Sequence, residues 1–353
     1  MKNIMIYTEI DVDNVGGTKS SNDLLKVLKK MNLEIKKFPL INYKNPIIRL
    51  SKKLLSILNL IMYLLVQNNN LYIFIYPFLG ENQKLLKKII YKLLNKSNNK
   101  TCAFIMDLNC ARFEGLNNIN KDVESLKLFD YVIAHNEIMK KLLVNNGVDY
   151  NKIFIFDMFD NIVENNVILK RKFSREIVFA GNLGKSNFLN KLCEDEKISY
   201  GLNLYGIGLK RKLLPNFINY KGSFSTEEIV HVLDGSFGLI WDGDSIETCD
   251  GFLGEYTKIN NPGKFPLYIA AGLPVIVWKK AAVAEIVKKY KIGITIDSLM
   301  NIDKALDIIT EEKYKEMYNN VLCLRKKIIT GYHYEKVIKE VINYNMLRSE
   351  ENG

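Results

Sequence analysis

Histidine is scarce in this chain and cysteine never comes in pairs. The three histidines, His135, His231 and His333, stand far apart. The five cysteines, Cys102, Cys110, Cys193, Cys249 and Cys323, contain no CxxC spacing and are odd in number. A zinc site needs ligands at close, paired spacing, and a disulfide framework needs an even set. Neither is expected, and the thiols fit a reduced, cytoplasmic protein. Long apolar runs are also missing. The longest, residues 54–66, is 13 residues and includes Ser56 and Asn59. Roughly 20 residues are needed to cross a bilayer, so this run reads as a buried or surface-seeking helix of a soluble protein. The opening Met1-Lys2-Asn3-Ile4-Met5-Ile6-Tyr7 has the pattern of a strand, not that of a basic stretch before a long apolar one, so no leader is expected. The phosphate-cradling GxxxxGK[ST] loop and the GxGxxG fingerprint are absent, as is a suitably placed Tyr-x-x-x-Lys pair, which argues against a nucleotide-sugar epimerase or another NAD-dependent enzyme.

What is present is ordinary globular composition, 48% apolar over 353 residues, enough for two domains. The formal charge of +11 is partly local: Lys84, Lys87, Lys88, Lys92, Lys96 and Lys100 recur at three- and four-residue spacing without acidic partners. Leu85, Leu86, Ile89, Ile90, Leu93 and Leu94 would form the opposite face of the same helix. Such a face is either solvated or suited to peripheral contact with an anionic membrane or a partner protein. No aromatic-interleaved basic groove or helix-turn-helix pattern points to nucleic acid.

Short apolar runs alternate with helical patterns along the chain. Strands are predicted at 3–7, 34–38, 71–76, 101–106, 131–134 and 152–156. A second set falls at 176–180, 202–205, 217–220, 238–241, 274–277 and 293–296. Helices fit between them near 18–31, 47–66, 82–95, 121–129, 136–146, 186–193, 225–234, 264–271, 281–290 and 301–330. This alternation is the signature of parallel sheets covered by helices. The expected division is a Rossmann-like domain over 1–160, a second over 175–330, and a C-terminal helix over 331–353. Ligands of such sheets bind beyond the carboxyl ends of strands, so the loops after each strand are the places to search.

In the first loop Gly16-Gly17-Thr18 opens a helix, and paired glycines let the backbone approach a phosphate or sugar; a plain turn and cap is the alternative. The second domain begins with a strand running into Gly181-Asn182-Leu183-Gly184-Lys185-Ser186, which has the glycines, lysine and helix start that a diphosphate needs. Tyr205-Gly206-Ile207-Gly208 and Gly222-Ser223-Phe224 could receive a nucleobase, with Tyr205 or Phe224 as an aromatic wall. Asp242-Gly243-Asp244 resembles a metal-holding DxD, but its place in the second domain favours a strand-end loop near the nucleotide, so no metal is expected. Glu255-Tyr256-Thr257-Lys258-Ile259-Asn260-Asn261-Pro262-Gly263-Lys264 feeds a small-residue helix ending at Gly272. There Lys264 can neutralise a leaving diphosphate and Asn261 can hydrogen-bond it. For a general base, Asp107 follows a strand with Arg112 nearby in sequence; Glu9, Asp11 and Asp13 after the first strand are the alternatives.

Together AGNLGKS, WDGDS, EYTKINNPGK and LYIAAGLPVIVW resemble the bacterial sugar transferases known as galactofuranosyltransferases. They also resemble the accessory glucosyltransferases that extend GlcNAc on serine-rich-repeat adhesins. The resemblance spans nearly the whole chain and is tightest from 181 to 293. It implies the α/β GT-B fold, two Rossmann-like domains facing across a cleft, and a metal-independent glycosyltransferase without a bound cofactor. In such an enzyme a UDP-sugar donor is held by the second domain, and the acceptor, a GlcNAc-modified protein or glycan, enters from the first. By position Lys264 matches the family's diphosphate-binding lysine, Lys185 falls in the first donor loop, and Thr18 falls in the N-terminal loop facing the donor. Homo-oligomers occur among the adhesin-modifying relatives and are expected here. The rival readings are surface-polysaccharide galactofuranosyl transfer and a non-catalytic partner subunit on the same fold.

Overall fold

A computed structural model of the chain describes residues 2–9, 16–39, 68–77, 98–194, 197–211 and 213–351, with a few positions between 51 and 63 and Lys92. It divides into two compact units. The first comprises Met1–Cys110, Asn118–Asp157 and His333–Gly353; the second comprises Ala111–Asn117 and Met158–Tyr332. Each is built on a six-stranded sheet.

The first sheet contains β1 (Lys2–Glu9), β2 (Glu34–Pro39), β3 (Asn70–Tyr76), β4 (Lys100–Ile105), β5 (Tyr131–Ala134) and β6 (Ile153–Ile155), in the order β2-β1-β3-β4-β5-β6. Every neighbouring pair is parallel. β3, Asn-Leu-Tyr-Ile-Phe-Ile-Tyr, is buried along its whole length, because a parallel strand covered on both faces has no solvent side to leave polar. The helix α1 (Gly16–Lys30) follows β1. The chain's last helix, α12 (Tyr332–Glu351), belongs to this unit: Tyr334 packs edge-on against Phe104 at 5.7 Å, and the Tyr131 hydroxyl donates to Asn345 Oδ1 at 3.0 Å.

The second sheet holds β7 (Glu176–Ala180), β8 (Gly201–Tyr205), β9 (Ile218–Gly222), β10 (Phe237–Ile240), β11 (Val275–Trp278) and β12 (Gly293–Ile296). Their order is β12-β11-β10-β7-β8-β9, again all parallel. This is the doubly wound Rossmann order, and it reverses between β7 and β10. A crevice opens beyond the carboxyl ends of strands at such a reversal. The helix α8 (Lys264–Ala270) covers β10, where Gly238 makes room for it: a Cβ there would lie 2.3 Å from Tyr268 Cγ. The Tyr268 hydroxyl accepts from Ala180 N at 2.8 Å and so fastens the helix to the end of β7. At its other end Arg171 donates to Ala271 O at 3.0 Å and Arg325 to Ala270 O at 2.6 Å, supplying donors to terminal carbonyls that the helix itself leaves bare.

The sequence predictions differ from the structure in a few places. The single helix expected over 301–330 is two, α10 (Ile302–Asp307) and α11 (Glu311–Ile328), because Thr310 caps the second through Oγ1, which accepts from Lys313 N at 3.2 Å. The helix near 225–234 shortens to α6 (Ile229–Val232). The segment expected to be a polar loop before Lys264 begins as a helix, α7 (Gly251–Tyr256). Of the basic helical face, Lys92 is exposed and Lys100 pairs with Asp130 at 3.1 Å; Lys84, Lys87, Lys88 and Lys96 lie outside the described residues. In the run 54–66, Leu60 is buried while Leu55, Leu58 and Met62 are exposed. No helix among the described residues is long and apolar enough to cross a membrane.

Candidate active site

At the reversal point of the second sheet three sequence-predicted residues meet. β7 ends at Ala180 and continues into Gly181; β10 ends at Ile240 and continues through Trp241 into Asp242; α8 begins at Lys264. The Lys264 ammonium lies 3.1 and 3.2 Å from the two Asp242 carboxylate oxygens and 5.1 Å from the centre of the Phe179 ring. A Cβ on residue 181 would come 3.2 Å from Lys264 Cε, and Gly181 has φ +151°, so a side chain there would crowd the lysine stem. Both charged groups are largely sheltered, 17% and 26% exposed, so screening by water is reduced relative to a surface pair.

The neighbouring glycine loops interlock. Gly181 N donates to Tyr205 O at 2.9 Å and Leu183 N to Ile207 O at 2.8 Å, carrying sheet pairing past the strand ends. A Cβ on residue 206 would sit 1.8 Å from Gly181 O, which only glycine avoids. Asn182 Oδ1 accepts from Gly184 N at 3.0 Å and holds the short turn that presents Lys185, which is exposed. Tyr205 is buried, its hydroxyl donating to Val232 O at 3.1 Å and accepting from Asp234 N at 2.9 Å. The exposed groups at this end are Ser223, Phe224, whose ring centre is 6.1 Å from that of Tyr205, and Ile207, which the sequence reading did not single out.

The Asp242-Gly243-Asp244 loop is closed by its own side chains. Asp250 Oδ1 accepts from Asp244 N at 2.7 Å and from Ser245 N at 2.9 Å. Asp244 Oδ1 accepts from Asn187 Nδ2 at 2.9 Å, and Trp241 Nε1 donates to Ser245 O at 2.9 Å. The acidic pair is thus engaged with a lysine and an amide. Cys249, buried behind Asp242, is pushed up to about 12 by burial and stays a thiol. Asn261 is buried, and the neighbouring Asn260 Oδ1 is buried without a hydrogen-bond partner.

In the first unit Asp107 is half-buried just past β4. Its loop is held by Asp122, which accepts from Cys110 N and from the Tyr76 hydroxyl, both at 3.0 Å. Gly16 and Gly17 form the start of α1, with Thr18 half-buried in its first turn. Next to them Lys19 and Asp23 form a buried ion pair at 2.6 Å that the sequence reading passed over; their i,i+4 spacing was the available signal. Glu9 ends β1, while Asp11 and Asp13 lie outside the described residues.

Two Rossmann-like α/β sheets of this kind are the architecture of the GT-B fold, and comparison with known proteins agrees. Residues 3–158 match the N-terminal domain, and 177–341 the C-terminal domain, of the Glucosyltransferase 3-like family. The chain belongs to that family. It is 34% identical to the beta-1,6-galactofuranosyltransferase WbbI of Escherichia coli (strain K12), over 63% of this chain and 66% of that one. It is 27% identical to Glucosyltransferase 3 of Streptococcus gordonii, over 60% and 61%. The chain therefore spans a little under two thirds of each of these relatives. Among solved structures, Anabaena Alr3699/HepE in complex with UDP shares the fold, with a TM-score of 0.61 at 11% identity over 98% of this chain and all of that one.

Proposed function

We propose that the protein transfers a hexose from a UDP-sugar to a GlcNAc-bearing acceptor, a glycan or an O-glycosylated serine-rich adhesin, without a metal. The observation that carries this reading is Lys264 at the reversal point of the second sheet. An ammonium there can take up the charge that develops as the bond between C1 of the sugar and the diphosphate oxygen breaks and its electron pair moves onto UDP. Lys185, exposed on the short turn that Asn182 holds, adds positive potential. Engagement of Asp242 and Asp244 by Lys264 and Asn187 supports a lysine-based, metal-independent arrangement. The exposed face of Phe224 suits a uracil ring. If the anomeric centre inverts, Asp107 takes the proton of the attacking acceptor hydroxyl.

The higher identity to the galactofuranosyltransferase favours a second reading of the donor, UDP-galactofuranose in place of UDP-glucose. The test is UDP release from UDP-glucose and from UDP-galactofuranose in the presence of a GlcNAc acceptor. Release from either donor, abolished or cut by at least about 100-fold in Lys264→Ala, supports the reading, since loss of one charge-stabilising donor costs that order of rate. Lys264→Ala turning over at the wild-type rate contradicts it, and a pure binding subunit releases no UDP at all.

A further inference from the structure

Lys264 has a counter-ion within the protein itself. Both carboxylate oxygens of Asp242 lie within 3.2 Å of its ammonium, at 26% exposure, and the loop that presents Asp242 is fixed independently of Lys264. Asp250 ties down residues 244 and 245, the indole of Trp241 holds Ser245, and a Cβ on residue 254 of α7 would touch the Asp242 carbonyl at 3.1 Å. The backbone that carries Asp242 is therefore held by contacts that do not involve the lysine. A diphosphate that binds the lysine competes with Asp242 for its ammonium and sits beside that carboxylate.

We propose that Asp242 is a positioning residue that competes with the donor diphosphate for Lys264 and so weakens the hold on product UDP. This rests on the assignment of Lys264 to the diphosphate. The ion pair keeps the lysine stem extended over Phe179 and beside Gly181, so the ammonium is in place when donor arrives. After the sugar has left, Asp242 recaptures the ammonium and speeds the escape of UDP; product release limits turnover in many enzymes. Without the carboxylate the lysine would meet UDP uncompensated. At a separation of several ångströms and an intermediate dielectric, removing one negative charge beside the diphosphate tightens UDP by about tenfold.

The experiment is calorimetric titration of UDP into the full chain and into Asp242→Asn, Asp242→Glu, Lys264→Ala and the Asp242→Asn/Lys264→Ala double variant. Product inhibition by UDP is measured alongside. The expected result is UDP about tenfold tighter in Asp242→Asn, with product inhibition stronger by the same factor. Asp242→Glu should stay near wild type, and the gain should shrink in the Lys264→Ala background, as coupled residues require. A residue with a merely structural role would lose affinity when changed. Weaker or unchanged UDP binding in Asp242→Asn, with Lys264→Ala weakened, overturns the competition and leaves the diphosphate assignment standing. Unchanged binding in Lys264→Ala overturns that assignment and the competition with it.

Discussion

His135 shows how burial decides what a single residue can do. It is one of three histidines in the chain, yet it is fully buried in the first unit, its Nε2 donating to Ile105 O at 3.1 Å. Burial lowers its pKa to about 3, outweighing the carbonyls of Ile105 and Met106, which raise it. It is therefore neutral across the working range and cannot serve as a general acid. The unfolded chain takes up a proton near pH 6.5 that the folded chain refuses, so this group's contribution to stability is complete above about pH 6.5 and falls as pH drops toward 3. Thermal unfolding followed between pH 7 and 4 should show a slope that His135→Asn flattens, by up to about 1.4 kcal/mol per pH unit. An unaltered slope would mean that the imidazole is protonated in the folded state.

The helix α8 matters at the next scale because its first residue is Lys264 and its position is fixed from three sides. Gly238→Ala would place a methyl 2.3 Å from Tyr268 Cγ. We expect it to cost about 1–3 kcal/mol or more in denaturant unfolding, with UDP binding weakened as the helix shifts. Arg325→Ala removes a charged donor from Ala270 O and should cost about 1.5–3 kcal/mol. A stability change within about 0.5 kcal/mol for either variant would contradict this account of the packing. Elements of this kind were legible in the sequence to different degrees. The twelve strands among the described residues were readable, the central ones because burial on both faces makes them continuous apolar runs, as in Leu71-Tyr72-Ile73-Phe74-Ile75-Tyr76, whereas the edge strand β9 is mostly exposed. The break at 308–310 was not, since Ile308-Ile309-Thr310 carries neither glycine nor proline and only the cap reveals it. The helix at Gly251–Tyr256 was hidden by its two glycines. Gly254 is there because a Cβ would come 2.5 Å from the Cys249 carbonyl carbon, a tertiary demand that overrides helix propensity. Lys264 itself was readable from its motif. Its pairing with Asp242, 22 residues earlier, was not, because strand order rather than spacing brings the two together.

Across the whole molecule, the last helix is the feature with the widest consequence. The helix from His333 onward is integral to the first unit, with Tyr334 set against Phe104 and Phe156, and Tyr344 against Tyr131 and Phe154. Tyr334→Ala should cost about 3–5 kcal/mol, as loss of a buried aromatic does, and limited proteolysis should then cut the first unit before the second. Equal resistance of wild type and variant would show that the first unit does not depend on the packing of Tyr334.

The account turns on where the diphosphate lies, and a crystal structure with UDP answers that most directly. It predicts a phosphate oxygen within roughly 3 Å of Lys264 Nζ, the distance of a charge-assisted hydrogen bond, with the ammonium drawn off Asp242. A nucleotide bound elsewhere, with Lys264 still on the Asp242 carboxylate, would contradict it.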